Sequence, residues 1–403
     1  MDYRAALDWL FSTQTFGIKL GLEGPRRLLR EYLAFPAHGT KIIHVAGTNG
    51  KGSTCAMIDR IARSCGSRSG LFTSPHLIDY RERIRVSGIE IPEDACAAML
   101  TELRAICEGL NPHPTFFEIT LALGMRWFRE RECDLIVLET GMGGRLDATT
   151  AVPADVCVIT PVGLDHCQWL GDTLEMVALE KAGIMVEGKP VVSAQQETVV
   201  RSVLEKEANV RRAPIEFIEA PLEGYAIGLP GRHQQWNAAA AVSALHHAGF
   251  SLREETVRHG LGHVSWPGRF QQVGERITID GAHNPHAAAV LRDTWERQFP
   301  SLKPVMIFSA VESKDVRGVL EILAPMACRI IFCRMNSPRA LAPETLAAAL
   351  PDDSPPHDLA EDLPGALKLC ETTSDPVLIT GSLFLVGEAL AMLQGKAFQA
   401  SAQ

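Results

Sequence analysis

The sequence predicts an α/β fold in two units, each organised around a mainly parallel sheet, and three observations carry that expectation. Short apolar runs bounded by turn residues recur along the chain, and most are followed by a segment with apolar residues at helical spacing. The intervals between the runs are long enough for right-handed crossovers between parallel strands. At 403 residues the chain exceeds one ordinary domain, and Ser265-Trp266-Pro267-Gly268-Arg269 interrupts the pattern with Pro and Gly, which places a boundary there.

The elements follow in order. Met1-Asp2-Tyr3-Arg4 opens an amphipathic segment, and Ile42-Ile43-His44-Val45 is an apolar strand that hands over to a helix in which Met57, Ile58, Ile61 and Ala62 share a face. Gly70-Leu71-Phe72-Thr73 reads as a short buried strand stopped by Ser74-Pro75-His76, and Arg83-Ile84-Arg85-Val86 alternates as a half-exposed one. Pro92-Glu93-Asp94 is an acidic helix start leading into Met99, Leu100, Leu103 and Ile106, and a second helix runs from Phe116 to about Arg129. Buried-type strands follow at 134–139 and 156–160, then a helix around 175–184 and a strand at 190–193. Past the boundary, strands are expected at 276–280, 304–308, 330–332 and 377–380, with helices from Pro285 and from Val316 to Ala324. The run Ala238-Ala239-Ala240-Ala241 is a good helix former, and no heptad, solenoid or low-complexity period is present.

Composition narrows the function. A net charge of -9 argues against a general nucleic-acid binder, so any phosphate must be held by a local cluster, and small anionic substrates fit better. Ten cysteines without a CxxC pair read as reduced packing thiols of a cytoplasmic protein. The N-terminal segment does not read as a signal peptide, and no apolar stretch approaches the ~20 residues of a membrane span.

Between the strand at 42–45 and its helix lies Gly47-Thr48-Asn49-Gly50-Lys51-Gly52-Ser53. Glycines there let backbone amides approach an anion, and the helix start adds the positive end of its dipole. Lys51 would face outer phosphates and the Ser53 hydroxyl could ligate Mg²⁺. The common nucleotide loop has Gly where Val45 stands and Ser or Thr where Gly52 stands, so spacing alone leaves a phosphate loop and an ordinary Gly-rich turn as equal readings. Ser74, Glu139 and His166 each fall at or just past a strand end, where parallel strands would converge on that loop and could share one Mg²⁺. Taken singly, each has an ordinary alternative: Ser74 as a turn cap, Glu139 as an acceptor for loop amides, His166 as a polar loop residue, and Lys181 as a surface ion pair.

Together these residues resemble the folylpolyglutamate synthase/dihydrofolate synthase family, part of the wider Mur ligase group. The resemblance rests on the 47–53 loop, Thr73-Ser74-Pro75-His76, Phe116-Phe117-Glu118, Glu139-Thr140-Gly141 through Arg145-Leu146-Asp147-Ala148-Thr149, Gly163-Leu164-Asp165-His166, Glu180-Lys181-Ala182-Gly183-Ile184, Pro267-Gly268-Arg269 and Asp280-Gly281-Ala282-His283-Asn284-Pro285. They stand in the family's order and span Gly21-Leu22-Glu23 to Gly381-Ser382-Leu383, nearly the whole chain.

The resemblance implies a P-loop-type ATPase domain with a mainly parallel sheet at 1–265, which also binds the pterin, a linker at 266–270, and a smaller Rossmann-like α/β domain at 271–403 that binds glutamate, with the site closing between them. It implies an ATP-dependent ligase that activates dihydropteroate or a reduced folate as an acyl phosphate, which the amino group of L-glutamate attacks to extend the chain through γ-links. By the same resemblance Lys51, Lys181 and His166 are catalytic, and Gly47, Thr48, Asn49, Gly50, Lys51, Gly52, Ser53, Asn237, Arg269 and Asp280 hold ATP. Ser74, Glu139, His166 and a carbamylated Lys181 hold two Mg²⁺ ions, and Phe116, Phe117, Glu118, Arg145, Asp147, His283 and Ser382 face substrates. The family commonly has Asn where Thr150 follows Asp147-Ala148-Thr149, which puts the pteroate contacts of that loop in question. The implied partners are small molecules, with no nucleic acid and no membrane, and the protein acts as a monomer. Two rivals stand beside this reading: a Mur-type ligase on another carboxylate acceptor, and a non-catalytic nucleotide-binding protein that keeps only the loop.

Overall fold

The computed structural model describes residues 1–17, 19 and 21–400. The chain divides into two compact units, the first comprising Met1–Ser74, Arg81–Gly228 and Gln235–Val264, the second Pro75–Tyr80, Leu229–Gln234 and the chain from Ser265 onward.

The first unit holds an eight-stranded sheet built from β1 (Lys41–Ala46), β2 (Ser69–Phe72), β3 (Ile84–Val86), β4 (Ile89–Glu90), β5 (Leu135–Glu139), β6 (Val156–Ile159), β7 (Val191–Ser193) and β8 (Ile215–Phe217). Their spatial order is β4-β3-β2-β5-β1-β6-β7-β8, parallel from β2 through β8. The central strands β5 and β6 are buried at every position, as strands covered on both faces must be. Register aligns Val45 with Glu139 and Ala46 with Ile159, so β1, β5 and β6 end level. That shared carboxyl edge is where the site assembles.

One sequence expectation needs correction in this unit. Arg83 is not part of a half-exposed strand: it closes a short 3₁₀ turn, Tyr80–Arg83, and is fully buried. The strand begins at Ile84 and pairs antiparallel with β2, while β4 pairs antiparallel with β3 and forms the sheet edge. Tertiary burial, not local alternation, decides the environment of Arg83, whose guanidinium lies 5.2 Å from the Phe116 ring centroid.

The second unit carries β9 (Gln271–Val273), β10 (Ile277–Ile279), β11 (Val305–Phe308), β12 (Arg329–Cys333), β13 (His357–Ala360) and β14 (Val377–Thr380), in the order β13-β12-β11-β14-β10-β9. Alternation along the strands builds two cores: Val305, Ile307, Ile331 and Ile379 enter one, and Met306, Phe308, Ile330, Phe332 and Leu378 the other. The parallel pairing expected here holds for β10 through β14, but β9 runs antiparallel to β10. Neither Gln271-Gln272-Val273 nor His357-Asp358-Leu359-Ala360 forms an apolar run, so both edge strands escape a search for apolar runs. All ten cysteines are free thiols. Among the described residues no helix is long and apolar enough to cross a membrane.

Candidate active site

The turn from β1 into the helix Lys51–Ser64 forms the floor of the site. Gly47 has φ +149°, and a Cβ there would stand 1.8 Å from Thr160 Oγ1, so only glycine fits. Gly50 caps the helix in the left-handed region at φ +86°. The amides of Thr48 and Asn49 donate to the Pro161 carbonyl at 3.0 and 3.3 Å, which ties the loop to the chain leaving β6. Thr54 N makes the first bond back to Gly50 O, which leaves the amides of residues 50–53 ahead of the helical ladder. A helix start with orphan donors, a lysine in its first turn and a buried Ser53 is an anion-binding arrangement. Asn237, on the helix His233–His247, is buried, and its Oδ1 lies 2.8 Å from where a Cβ on Gly50 would stand.

Two lysines meet on one carbonyl. Lys51 Nζ donates to Gly47 O at 3.1 Å and to Thr48 O at 3.3 Å, while Lys181 Nζ, from the helix Leu174–Ala182, donates to the same Gly47 O at 2.9 Å. Lys181 is 3% exposed. Burial first, and then the Lys51 charge, lower its pKa to about 7.

Glu139 ends β5, is buried, and accepts from the Ser74 amide at 3.1 Å, so these two are brought together. His166 sits in a left-handed turn that starts the short helix Cys167–Leu170. Its amide donates to Asp165 Oδ1 at 2.8 Å, and its half-exposed ring lies 3.9 Å from the same oxygen. Among the described residues no three His, Cys, Asp or Glu side chains cluster closely enough to hold a metal. The Ser74 hydroxyl and Glu139 carboxylate nevertheless supply hard oxygens, the donor type that suits Mg²⁺ when substrate phosphates complete its shell.

Further along the same edge, the loop after β5 is held by Asp147. Its Oδ2 accepts from Met142 N at 3.0 Å, and its Oδ1 from the amide and hydroxyl of Thr149. Burial raises the Asp147 pKa against the pull of these bonds. Arg145 pairs with Glu180 through Nε and Nη2 at 3.0 and 2.7 Å, and Arg145 N donates to Glu180 O at 2.7 Å, so the loop is fastened to the helix that carries Lys181. The Thr150 hydroxyl donates to Gly144 O at 2.7 Å, closing this loop from within. The Phe117 ring covers Gly141, its Cζ 2.8 Å from where a Cβ would stand, beside Asp147 Oδ2. Phe116 points elsewhere: it is buried and stacks on Phe11 at 5.7 Å between ring centroids. Glu118 is buried, and its carboxylate accepts from Thr115 N at 2.6 Å to close the capping box of the helix Phe116–Glu130. His44, inside β1, is a residue that motif reading passed over. It is 1% exposed, with Nε2 2.8 Å from Thr149 Oγ1, and its signal was a lone imidazole in an otherwise apolar buried strand.

In the second unit Asp280 follows β10 and accepts from Phe270 N at 2.8 Å and Ala282 N at 2.9 Å. Burial raises its pKa while Arg269 opposes the shift. The carbonyl of Gly281 lies 2.8 Å from His283 Nδ1, and Arg269 Nη1 reaches Gly268 O at 3.4 Å. Ser382 caps the helix Leu383–Leu393, its Oγ accepting from Phe384 N at 3.1 Å. His233 belongs to no motif in the sequence; burial, reinforced by Arg269, lowers its pKa to about 4.

Comparison with known proteins gives a consistent picture. Residues 45–245 match the Mur ligase middle domain, and residues 268–383 match the Mur ligase, glutamate ligase domain. The chain is 33% identical to the dihydrofolate synthase/folylpolyglutamate synthase of Bacillus subtilis, covering 96% of this chain and 98% of that protein. It is 32% identical to the enzyme of the same description from Escherichia coli, covering 97% and 95%. Among solved structures, E. coli FolC in complex with DHPP and ADP superposes with a TM-score of 0.88 at 30% identity, over 97% of this chain and 98% of that one. The Yersinia pestis bifunctional enzyme complexed with AMPPNP and Mn ion gives 0.88 at 31%, over 98% of each.

Proposed function

This chain belongs to the folylpolyglutamate synthase/dihydrofolate synthase family of Mur ligases, and we propose that the edge formed by β1, β5 and β6 is where it activates a pteroate or folate carboxylate. It is an ATP-dependent carboxylate–amine ligase that adds L-glutamate to folates and works with ATP and a divalent metal. The observation that carries the site assignment is the meeting of Lys51 and Lys181 on Gly47 O.

The chemistry follows from the groups present. Transfer of the terminal phosphoryl group to a carboxylate asks for positioning and for positive charge around the moving phosphate. The amides of residues 50–53 and the Lys51 ammonium meet both needs, with Ser53, Asn237 and the rest of the loop holding the nucleotide. Ser74, Glu139 and His166 would hold one Mg²⁺, which would neutralise phosphate charge. Lys181, with its pKa lowered to about 7, is in part a neutral amine at physiological pH. That neutral amine can add CO₂ to give a carbamate and release one proton, which turns a neutral group into an anion that would suit a second Mg²⁺. The acyl phosphate so formed is then open to the glutamate amine, with loss of phosphate. Phe117, Arg145 and Asp147 are assigned to the acceptor, with Phe116 and Glu118 behind them; Arg269 and Asp280 are assigned to the nucleotide, and His283 and Ser382 to substrate. Ten free thiols support a reducing compartment such as the cytoplasm as the place where the enzyme works.

The test incubates purified protein with ATP, Mg²⁺ and glutamate, offers dihydropteroate and tetrahydrofolate separately, and identifies products by mass. A one-glutamate increment on either acceptor, with ADP released in step, is expected. ADP release with neither acceptor extended would assign the chain to a different carboxylate.

A further inference from the structure

We infer that His44 is a positioning residue for the acceptor site, acting through Thr149 to hold the Asp147 carboxylate in one orientation. The inference rests on the reading that the loop bearing Asp147 receives the pteroate or folate. Thr149 is fully buried, and its hydroxyl hydrogen goes to Asp147 Oδ1. A hydroxyl has one hydrogen, so its contact with His44 Nε2 at 2.8 Å must have the imidazole as donor. The chain is therefore directional: His44 Nε2–H to Thr149 Oγ1, then Thr149 O–H to Asp147 Oδ1. Each step polarises the next in a water-poor setting.

The placement of the two ends gives the relay a purpose. His44 lies within the rigid centre of the sheet, aligned with Leu138 of β5 and Cys157 of β6, three residues before Gly47. Asp147 lies towards the far end of the loop from Gly141 to Thr149; its Oδ2 accepts from Met142 N, and a Cβ on Gly141 would stand 3.2 Å from this oxygen and 2.8 Å from Phe117 Cζ, so both line the same side of Gly141. Pinning Oδ1 from the sheet thus fixes where Oδ2 stands beside Gly141 and Phe117. The low pKa of His44, about 3 through burial, keeps the imidazole neutral and the tautomer constant across any working pH.

The test compares His44→Leu, His44→Gln, Thr149→Val and Asp147→Asn by steady-state kinetics with acceptor and ATP varied separately. His44→Leu and Thr149→Val are expected to raise the acceptor KM roughly tenfold, the equivalent of about one buried hydrogen bond, with the ATP KM unchanged. His44→Gln, whose amide N–H can take the place of Nε2–H, is expected to restore the acceptor KM. The His44→Leu/Thr149→Val double variant should be no worse than either single variant, because both cut the same chain. Should His44→Leu fold poorly, Thr149→Val against Thr149→Ser decides the question, since serine keeps the hydroxyl. Equal rises in both KM values, or no rescue by glutamine or serine, would reduce the relay to fold maintenance and overturn the inference. An unchanged acceptor KM in Asp147→Asn overturns it differently, by removing the acceptor reading of the loop. A raised one beside an unaffected His44→Leu rejects the relay alone.

Discussion

Lys51 and Lys181, 130 residues apart in sequence, donate to the same carbonyl oxygen, Gly47 O, at 3.1 and 2.9 Å. Two ammonium groups on one acceptor are mutually destabilising, and the buried one yields: burial and the Lys51 charge together bring Lys181 to a pKa of about 7. The arrangement stores a chemical bias. A neutral Lys181 relieves the repulsion, and a carbamylated one replaces it with attraction.

Lys181 should therefore accept CO₂ more readily as pH rises through about 7, because only the free amine reacts. ¹³C NMR of protein equilibrated with labelled bicarbonate should show a carbamate signal that grows between pH 6 and 8 and is missing from Lys181→Ala. The same variant should be inactive and partly rescued by a short carboxylic acid; rescue by an amine instead would mean that the cation is the working form.

Burying Lys181 also carries a stability penalty with a definite sign. Its folded pKa lies below its unfolded one, so the unfolded chain binds more protons between about pH 7 and 10.5, and stability rises with pH across that window. The penalty is fully present below pH 7. Lys181→Met should raise stability at pH 6 by on the order of a few kcal/mol, and the gain should shrink towards pH 10. Urea titrations without bicarbonate at both pH values measure this, and a pH-independent gain would remove the electrostatic explanation.

Lys51→Ala should abolish ligation while leaving the fold intact. Among the described residues the Lys51 ammonium reaches two loop carbonyls, Gly47 O and Thr48 O, so its loss removes charge from the phosphate site and leaves the core untouched. A fall in kcat of at least 10²-fold, typical of removing a group that stabilises developing charge, is expected with an unchanged circular dichroism spectrum. Full steady-state turnover would remove Lys51 from the mechanism.

Glu118 separates packing from substrate contact. Because its carboxylate closes a capping box with Thr115, Glu118→Ala should lower stability by about 1 kcal/mol. Glu118→Gln keeps the cap and should leave both stability and acceptor KM unchanged. A rise in acceptor KM for the glutamine variant would show that the charge itself faces substrate.

The loop at 47–53 shows how far motif reading reaches. Its glycines and lysine are local requirements of a strand-to-helix turn, so they stand out in a linear string, as does Glu139 at the end of an apolar run, whereas Lys181 stands out only through the family resemblance. His44 does not, because its importance lies in a partner 105 residues away. Phe116 and Phe117 are adjacent and chemically identical, yet one packs on Phe11 and the other covers Gly141, a distinction that only helix orientation makes. Gln271–Val273 and His357–Ala360 were invisible for the opposite reason: edge strands need no apolar run, since their neighbours supply the pairing.

By itself the sequence determined the α/β class, the family and the residue types that carry phosphate chemistry, because periodicity, turn chemistry and short motifs are properties of neighbours along the chain. Tertiary structure alone decided that Lys51 and Lys181 share Gly47 O, that Arg83 is buried, and that His44 reaches Asp147 through Thr149. Those outcomes depend on strand register and burial, which set distances between residues far apart in sequence and thereby set their charge states.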